Sequence, residues 1–202
     1  MRILQICRNI PIKNLDGNPI LLELFGHLRA NGYSSDILFP SEYVPKLSFL
    51  PKRYKIFSDL SGESLSFNGF VVTFFRFLRI PFLFPFLLVP FFYKVFNIDQ
   101  LRNKYDVIHA HYILPDGLLA KLLSKTLDIP YLVTVRQGDV DRILRLRKHR
   151  FYWNLYNKVL SNASVVLTVN PSIRDYLECE FNIESKVIPH GIDSSLVVEE
   201  AR

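Results

Sequence analysis

Cysteine is nearly absent: Cys7 and Cys179 are the only two in 202 residues. That excludes a disulfide framework and a cysteine-rich metal centre, and it suits a reducing compartment. Glycine (8) and proline (12) are neither abundant nor periodic, which excludes collagen-like and low-complexity chains. No G-x-G-x-x-G follows the first apolar run, and no G-x-x-x-x-G-K-[ST] occurs. No nucleotide-phosphate cradle of either kind is therefore expected. G-x-S-x-G is missing too, which removes a serine-hydrolase elbow. Long hydrophobic runs are also lacking. The longest uncharged apolar stretch, residues 80–93, is interrupted by Pro81, Pro85 and Pro90. It falls short of the roughly 18–20 residues that cross a bilayer, and its prolines would break a helix. The first apolar run is too short for the core of a signal peptide.

What is present is an ordinary globular composition, 49% apolar and 22% charged, so disorder is not the expectation. The net charge of +6 is unevenly placed. Between residues 40 and 104 nine Lys/Arg stand against Glu42, Asp59, Glu63 and Asp99. A basic excess suits an anionic partner or simply a solvated surface. No nucleic-acid recognition motif accompanies it, so nucleic acid is not an expected partner.

Residues 2–7 read as a buried strand and 8–18 as a loop. A helix follows from Pro19, capped by Asn18 and stopped at Asn31-Gly32. Residues 36–39 read as a second strand. The segment 40–104 is far longer than the usual connection of about 2–6 residues. It reads as an aromatic, basic insertion with one or two irregular helices. Eleven of the 17 Phe lie between Phe67 and Phe96. Either these rings pack under a sheet or some form an exposed patch for lipid or another chain. Phe82, Phe84, Phe86, Phe91 and Phe92, with Arg76 and Arg79, are the membrane-contact candidates.

Beyond Tyr105 the rhythm is regular. Strands are expected at 106–111, 131–135, 164–169 and 186–188. Helices are expected at 115–127, at 142–160 with Asp141 as cap, and at 170–180. Alternation of this kind predicts an α/β fold, a doubly wound parallel sheet of five to seven strands. Ligands of such sheets bind beyond the carboxyl ends of the strands. That places interest on the loops 8–18, 111–116, 136–141 and 170–172.

His109 and His111 share one face of their strand. Each is either a cleft hydrogen-bonder or a satisfied structural histidine; three or more metal ligands are not evident, and no metal is expected. Arg136 offers a planar fork for phosphate or carboxylate. Gly138 allows close backbone approach. Asp139 either accepts a hydroxyl proton or caps the next helix. Residues 142–150 carry Arg142, Arg145, Arg147, Lys148, His149 and Arg150 beside apolar Leu144 and Phe151. This suits an anionic membrane surface or a solvated helix face. The sequon at Asn162 is discounted for want of an export signal.

Three stretches, DVIHAHYILPDG at 106–117, LVTVRQGDV at 132–140 and VIPHGID at 187–193, together resemble the amino-terminal half of family 4 glycosyltransferases. The resemblance covers about residues 1–40 and 105–193. It implies a single Rossmann-like half of a GT-B fold over residues 1–193, with the insertion at 40–104. It further implies retaining transfer from a nucleotide-sugar co-substrate, with no other cofactor and no metal. This half would hold a sugar or lipid-linked acceptor. Catalytic roles would fall on Arg136 and Asp139. Substrate contacts would come from Gly17, Asn18, His111, Asp116, Gly138 and Asn170. In the family the first loop carries paired glycines and a histidine often follows the Thr-Val strand; here Gly17 stands alone and Arg136 takes the histidine's place. The expected setting is cytoplasmic, peripheral on the inner face of the plasma membrane, in surface polysaccharide or glycolipid assembly. Residues 194–202 would be a truncated tail without the donor-binding domain. The chain is then expected to be inactive alone, or to be a non-catalytic scaffold that pairs with a separate donor-domain chain.

Overall fold

The computed structural model describes residues 1–12, 17–43, 64–78 and 89–191. Eight strands among these residues form one sheet in the order β3-β4-β2-β1-β5-β6-β7-β8. They are β1 Arg2–Ile6, β2 Ser34–Tyr43, β3 Ser64–Phe67, β4 Phe70–Leu78, β5 Val107–Ala110, β6 Tyr131–Val135, β7 Val165–Thr168 and β8 Lys186–Val187. All pairs are parallel except β3 with β4. The helices are α1 Pro19–Ala30, α2 Val89–Tyr93, α3 Leu118–Leu127, α4 Gln137–Leu146, α5 Arg150–Leu160 and α6 Pro171–Phe181. An irregular turn, Ile113–Gly117, leads into α3.

The chain leaves β1 for β2 on one side and returns to β5 on the other. The order therefore reverses between β1 and β5, and loops diverge there to open a crevice at the carboxyl edge. Helix α1 forms as the sequence predicts. The Asn18 carboxamide oxygen accepts the Ile20 N–H at 3.1 Å. Gly32, at φ 81°, turns the chain out of the helix.

Two elements differ from expectation. The insertion's expected short helices are present, as α2 and a single turn at Ile98–Leu101, but the segment around Phe67–Leu78 is extended. It is a hairpin whose two central residues, Asn68 and Gly69, both have positive φ (48° and 79°). That is the geometry that two-residue hairpins favour. Its second strand extends the sheet beside β2 and raises the count above seven. Alternation along β4 sends Val72 and Phe74 to one face and Phe75 and Phe77 to the other, all buried. These rings are core, not exposed patch. Of the membrane-contact candidates, Phe91 is exposed, Phe92 packs partly buried against the core, and Arg76 sits within β4. Phe82, Phe84, Phe86 and Arg79 lie outside the described residues, as does the tail at 194–202.

The expected single helix 142–160 is two. The loop read at 136–141 is already the start of α4. The Asp139 carboxylate accepts the Arg136 N–H at 3.1 Å, while the Asp139 N–H bonds the Arg136 carbonyl at 2.9 Å. This reciprocal cap begins the helix before Asp141 is reached. His149, in extended conformation (φ −97°, ψ 97°), separates α4 from α5.

The core has two parts. Helices α3, α5 and α6 cover one face, where Leu119, Leu123, Tyr156 and Leu177 meet Leu4, Ile108 and Val133. Helix α1 covers part of the other through Leu21 and Phe25, against Ile37, Phe39, Phe70 and Phe74. Beside α1 that face retains an apolar groove of about 560 Å³, floored by Ile3, Val107, Leu132 and Leu167.

Candidate functional site

Loops from β1, β5, β6 and β8 meet at the carboxyl edge around a cleft of about 760 Å³. Its walls include Arg8, Asn9, Asn18, Tyr112, Asp116, Arg136, Gly138, Arg142 and His190. Arg136 stands between this cleft and the apolar groove and lines both. Strand β6 delivers it there, and α4 begins immediately after it.

The Arg136 side chain is almost enclosed, at 6% exposure. Its Nε donates to the His111 carbonyl at 3.3 Å, and one terminal nitrogen contacts His190 Nε2. The guanidinium also lies 5.7 Å from the centre of the Tyr112 ring. No carboxylate among the described residues forms an ion pair with it. Burial works against its charge, opposed by Tyr112, Cys7 and the two aspartates. A buried cation held by neutral partners retains capacity for an anionic or hydroxyl-rich ligand.

Asp139 lies beneath Arg136 and is 1% exposed. Its two oxygens accept the backbone N–H groups of Ile113 (3.1 Å) and Arg136 (3.1 Å). It therefore ties the β5 turn to the β6 loop. Burial pushes its carboxyl up to about 7, against the lowering effect of those two hydrogen bonds. Of the two readings of this residue the cap is what its contacts display: it starts α4 and holds the backbone that presents Arg136.

Asp116 is fully buried at the cleft wall. One oxygen takes the Arg8 N–H at 3.4 Å, and the other has no hydrogen-bond partner among the described residues. Burial raises its carboxyl well above the ordinary range. Arg8 itself is ion-paired with the buried Glu42 of β2.

The histidine pair is structural. His111 has 0% exposure, and its Nε2 bonds Gln5 Oε1 at 2.8 Å. Its ring has no exposed surface in this structure, and its carbonyl holds Arg136. His109 bonds Thr134 Oγ1 at 2.8 Å, and the two rings lie 4.0 Å apart. Burial pushes His109 down to about 3, and His111 down as well, with each other and Arg136 adding to the effect on His111. Both rings are neutral.

The remaining expected contacts divide. Asn18 and Gly138 line the cleft. Gly138 has open space where a Cβ would stand, so nothing there demands glycine. Gly17 is adjacent, and a Cβ on it would collide with the backbone of Ile10 and Pro11. Its glycine serves loop closure. Asn170 is a helix cap whose Oδ1 accepts the Ile173 N–H at 2.9 Å, next to Val169 of the cleft wall. Sequence reasoning missed Asn9, Tyr112 and His190. Asn9 donates to the Tyr112 hydroxyl at 2.8 Å, which fixes the ring beside Arg136. No group of three or more potential metal-ligating residues occurs among the described residues. No helix among them is long and apolar enough to cross a membrane.

An eight-stranded α/β sheet with a polar, arginine-centred cleft at its carboxyl edge defines a class of domain that binds small polar ligands between strand-end loops. The chain belongs to Glycosyltransferase Family 4, whose pattern matches residues 20–196. It is 32% identical over 102 residues to TuaC of Bacillus subtilis (strain 168), which carries the name of a teichuronic acid biosynthesis glycosyltransferase. It is 25% identical over 124 residues to the uncharacterized glycosyltransferase MJ1178 of Methanocaldococcus jannaschii. Those matches cover 50% and 55% of this chain but only 26% and 34% of the two relatives, so the matched stretches span about a third of the relatives' length or less. Among solved structures, sucrose-phosphate synthase from Thermosynechococcus elongatus superposes with a TM-score of 0.59 at 16% identity. That match covers 96% of this chain and 90% of the other, and it speaks to the fold.

Proposed function

We propose that this domain is the acceptor-binding half of a retaining, nucleotide-sugar-dependent glycosyltransferase. The observation that carries the reading is Arg136: a buried guanidinium without a carboxylate partner among the described residues, at the meeting point of the strand-end loops. In this reading Arg136 binds an anionic or hydroxyl group of the reacting sugars. Asn9, Asn18 and Tyr112 line the acceptor side. Asp139 is a positioning residue, because both its oxygens already serve backbone N–H groups. Asp116, buried behind the cleft wall, accepts the Arg8 N–H and is likewise a positioning residue.

Transfer breaks the bond between the sugar's anomeric carbon and the nucleoside diphosphate. It forms one to the acceptor oxygen on the same face, and the acceptor proton leaves with the departing phosphate. Stabilising that phosphate is the larger electrostatic task. A second, donor-binding domain, supplied by the same protein or by a separate chain, would perform it. The acceptor we propose is a sugar on an anionic lipid at the inner membrane face, in polysaccharide or glycolipid assembly. TuaC's name, which speaks of teichuronic acid biosynthesis, supports the polymer-assembly part of that reading.

The test is calorimetric titration of the 202-residue protein with a soluble short-prenyl diphosphate sugar, beside the Arg136→Met variant. Binding by the parent and at least a tenfold loss in the variant support the reading. Equal affinities contradict it. The same protein, incubated with nucleotide-sugars and this acceptor, should give no transfer until a donor-binding half is added.

A further inference from the structure

The turn between α4 and α5 carries a feature that the cleft does not use. Residues 142–150 hold Arg142, Arg145, Arg147, Lys148 and Arg150 and no acid. Arg145, Arg147, Lys148 and Arg150 are exposed, and none of them forms an ion pair among the described residues. Two large apolar side chains flank the same turn: Leu144 is 44% exposed and Phe151 58%. Beneath them Ile143 and Tyr152 are buried, so the turn is anchored to the body of the domain.

Its place in the fold is fixed by the connections. Helix α5 ends where β7 begins, at the amino edge of the sheet, so its first residue, Arg150, lies at the carboxyl edge. Helix α4 starts at that edge too, directly after β6. The basic, apolar turn and the cleft thus share one edge, joined by α4. Gln137 and Gly138 at its start line the cleft, and its ten residues span about 15 Å at 1.5 Å each.

We propose that this turn docks the domain on an anionic lipid surface, with Leu144 and Phe151 entering the headgroup boundary and the four cations meeting lipid phosphates. Like charges crowded with no ion pair among the described residues repel one another, and an anionic surface relieves that repulsion. Apolar side chains that remain exposed beside them gain by burial in the same event. Neither signal alone anchors firmly, but the two act together. Docked in this way, the cleft stands about one short helix from the bilayer. That distance suits an acceptor whose sugar is in the cleft and whose lipid is in the membrane. The purpose of the surface rests on the proposed acceptor, but the docking itself does not.

The experiment is co-sedimentation of the 202-residue protein with vesicles of phosphatidylcholine, with and without 30% phosphatidylglycerol (about that fraction suffices to charge the surface). Each exposed cation is worth roughly fivefold in partitioning. Arg147→Gln/Lys148→Gln/Arg150→Gln should therefore bind anionic vesicles about 100-fold more weakly. Leu144→Ser/Phe151→Ser should bind more weakly as well. A charge-matched control, Lys104→Gln/Lys125→Gln/Lys158→Gln, removes exposed cations from the amino edge and should bind nearly as the parent does. The proposal is overturned if the parent ignores anionic vesicles, or if the turn variant and the control lose binding equally. Loss on Phe91→Ser but not on the turn variant, or preference of the turn for polyglutamate over vesicles, also overturns it. Affinity for the soluble acceptor is measured without lipid, so a failed cleft and a failed docking surface give separate signatures.

Discussion

Asp139→Asn separates two consequences of burying a carboxyl group. The ordinary carboxyl value is 3.8, and burial pushes Asp139 up to about 7. Between those values the unfolded chain has released its proton and the folded chain retains it. The folded state then binds more protons, so stability falls as pH rises from about 4 to about 7 and is level above. Three pH units at about 1.4 kcal/mol each give a loss of about 4 kcal/mol. Asp116 acts in the same direction. His109, pushed down to about 3, and His111 act in the other: their contribution is lost as pH falls below about 6.5. The variant retains all three groups, and loss of the Asp139 charge also relieves Asp116, so the difference between variant and parent reports Asp139 together with that coupling. At pH 4.5 the carboxamide can accept only one of the two N–H groups, from Ile113 or Arg136. The other is left unsatisfied, and the variant is weaker by about 1–3 kcal/mol. By pH 8.5 that deficit should vanish or reverse, because the parent has given up about 4 kcal/mol. Urea unfolding can be followed through Trp153, the single tryptophan, which stacks on Phe181 at 4.1 Å. A variant-minus-parent difference that stays constant from pH 4.5 to 8.5 would refute the reasoning.

Other outcomes follow from the same contacts. Gly17→Ala should cost about 3 kcal/mol by thermal unfolding, at the upper end of overpacking effects, because its Cβ meets backbone that has little freedom to retreat. Asn170→Ala should cost about 1 kcal/mol through loss of a helix cap and leave acceptor affinity unchanged in calorimetry. Phe75→Ala should cost about 3–5 kcal/mol in urea unfolding, as for a ring with no exposed surface. Arg136→Lys keeps the charge and loses the fork; acceptor affinity should fall at least tenfold, and loss of the donor to the buried His111 carbonyl should cost about 1–3 kcal/mol in thermal unfolding.

The regular half of the fold was legible because alternation of period 2 and period 3.6 is strong there. Tyr131–Val135 appears in the structure with the bounds that its β-branched run predicts, and α1 starts at the cap that Asn18-Pro19 announces. The hairpin around Asn68-Gly69 was missed although that dipeptide is a strong turn signal. The density of phenylalanine beside it is equally compatible with an exposed patch. A strand buried on both faces reads as a continuous apolar run, and β4 is such a strand. At the site, the loops were legible and the side-chain roles were not. His111 and Asn170 look like ligand contacts in sequence because polar residues at strand ends often are. Whether their atoms are already used by Gln5 or by a helix end is a tertiary fact. Tyr112 and Asn9 are 103 residues apart, and no local pattern pairs them.

Amide chemical-shift mapping of the protein titrated with a short-prenyl diphosphate sugar tests most directly whether the strand-end loops hold the acceptor around Arg136. The account predicts saturable shifts concentrated at Asn9, Asn18, Tyr112, Arg136 and Gly138, and their loss in Arg136→Met. Shifts confined to the amino edge of the sheet, or an unchanged map in the variant, would contradict it.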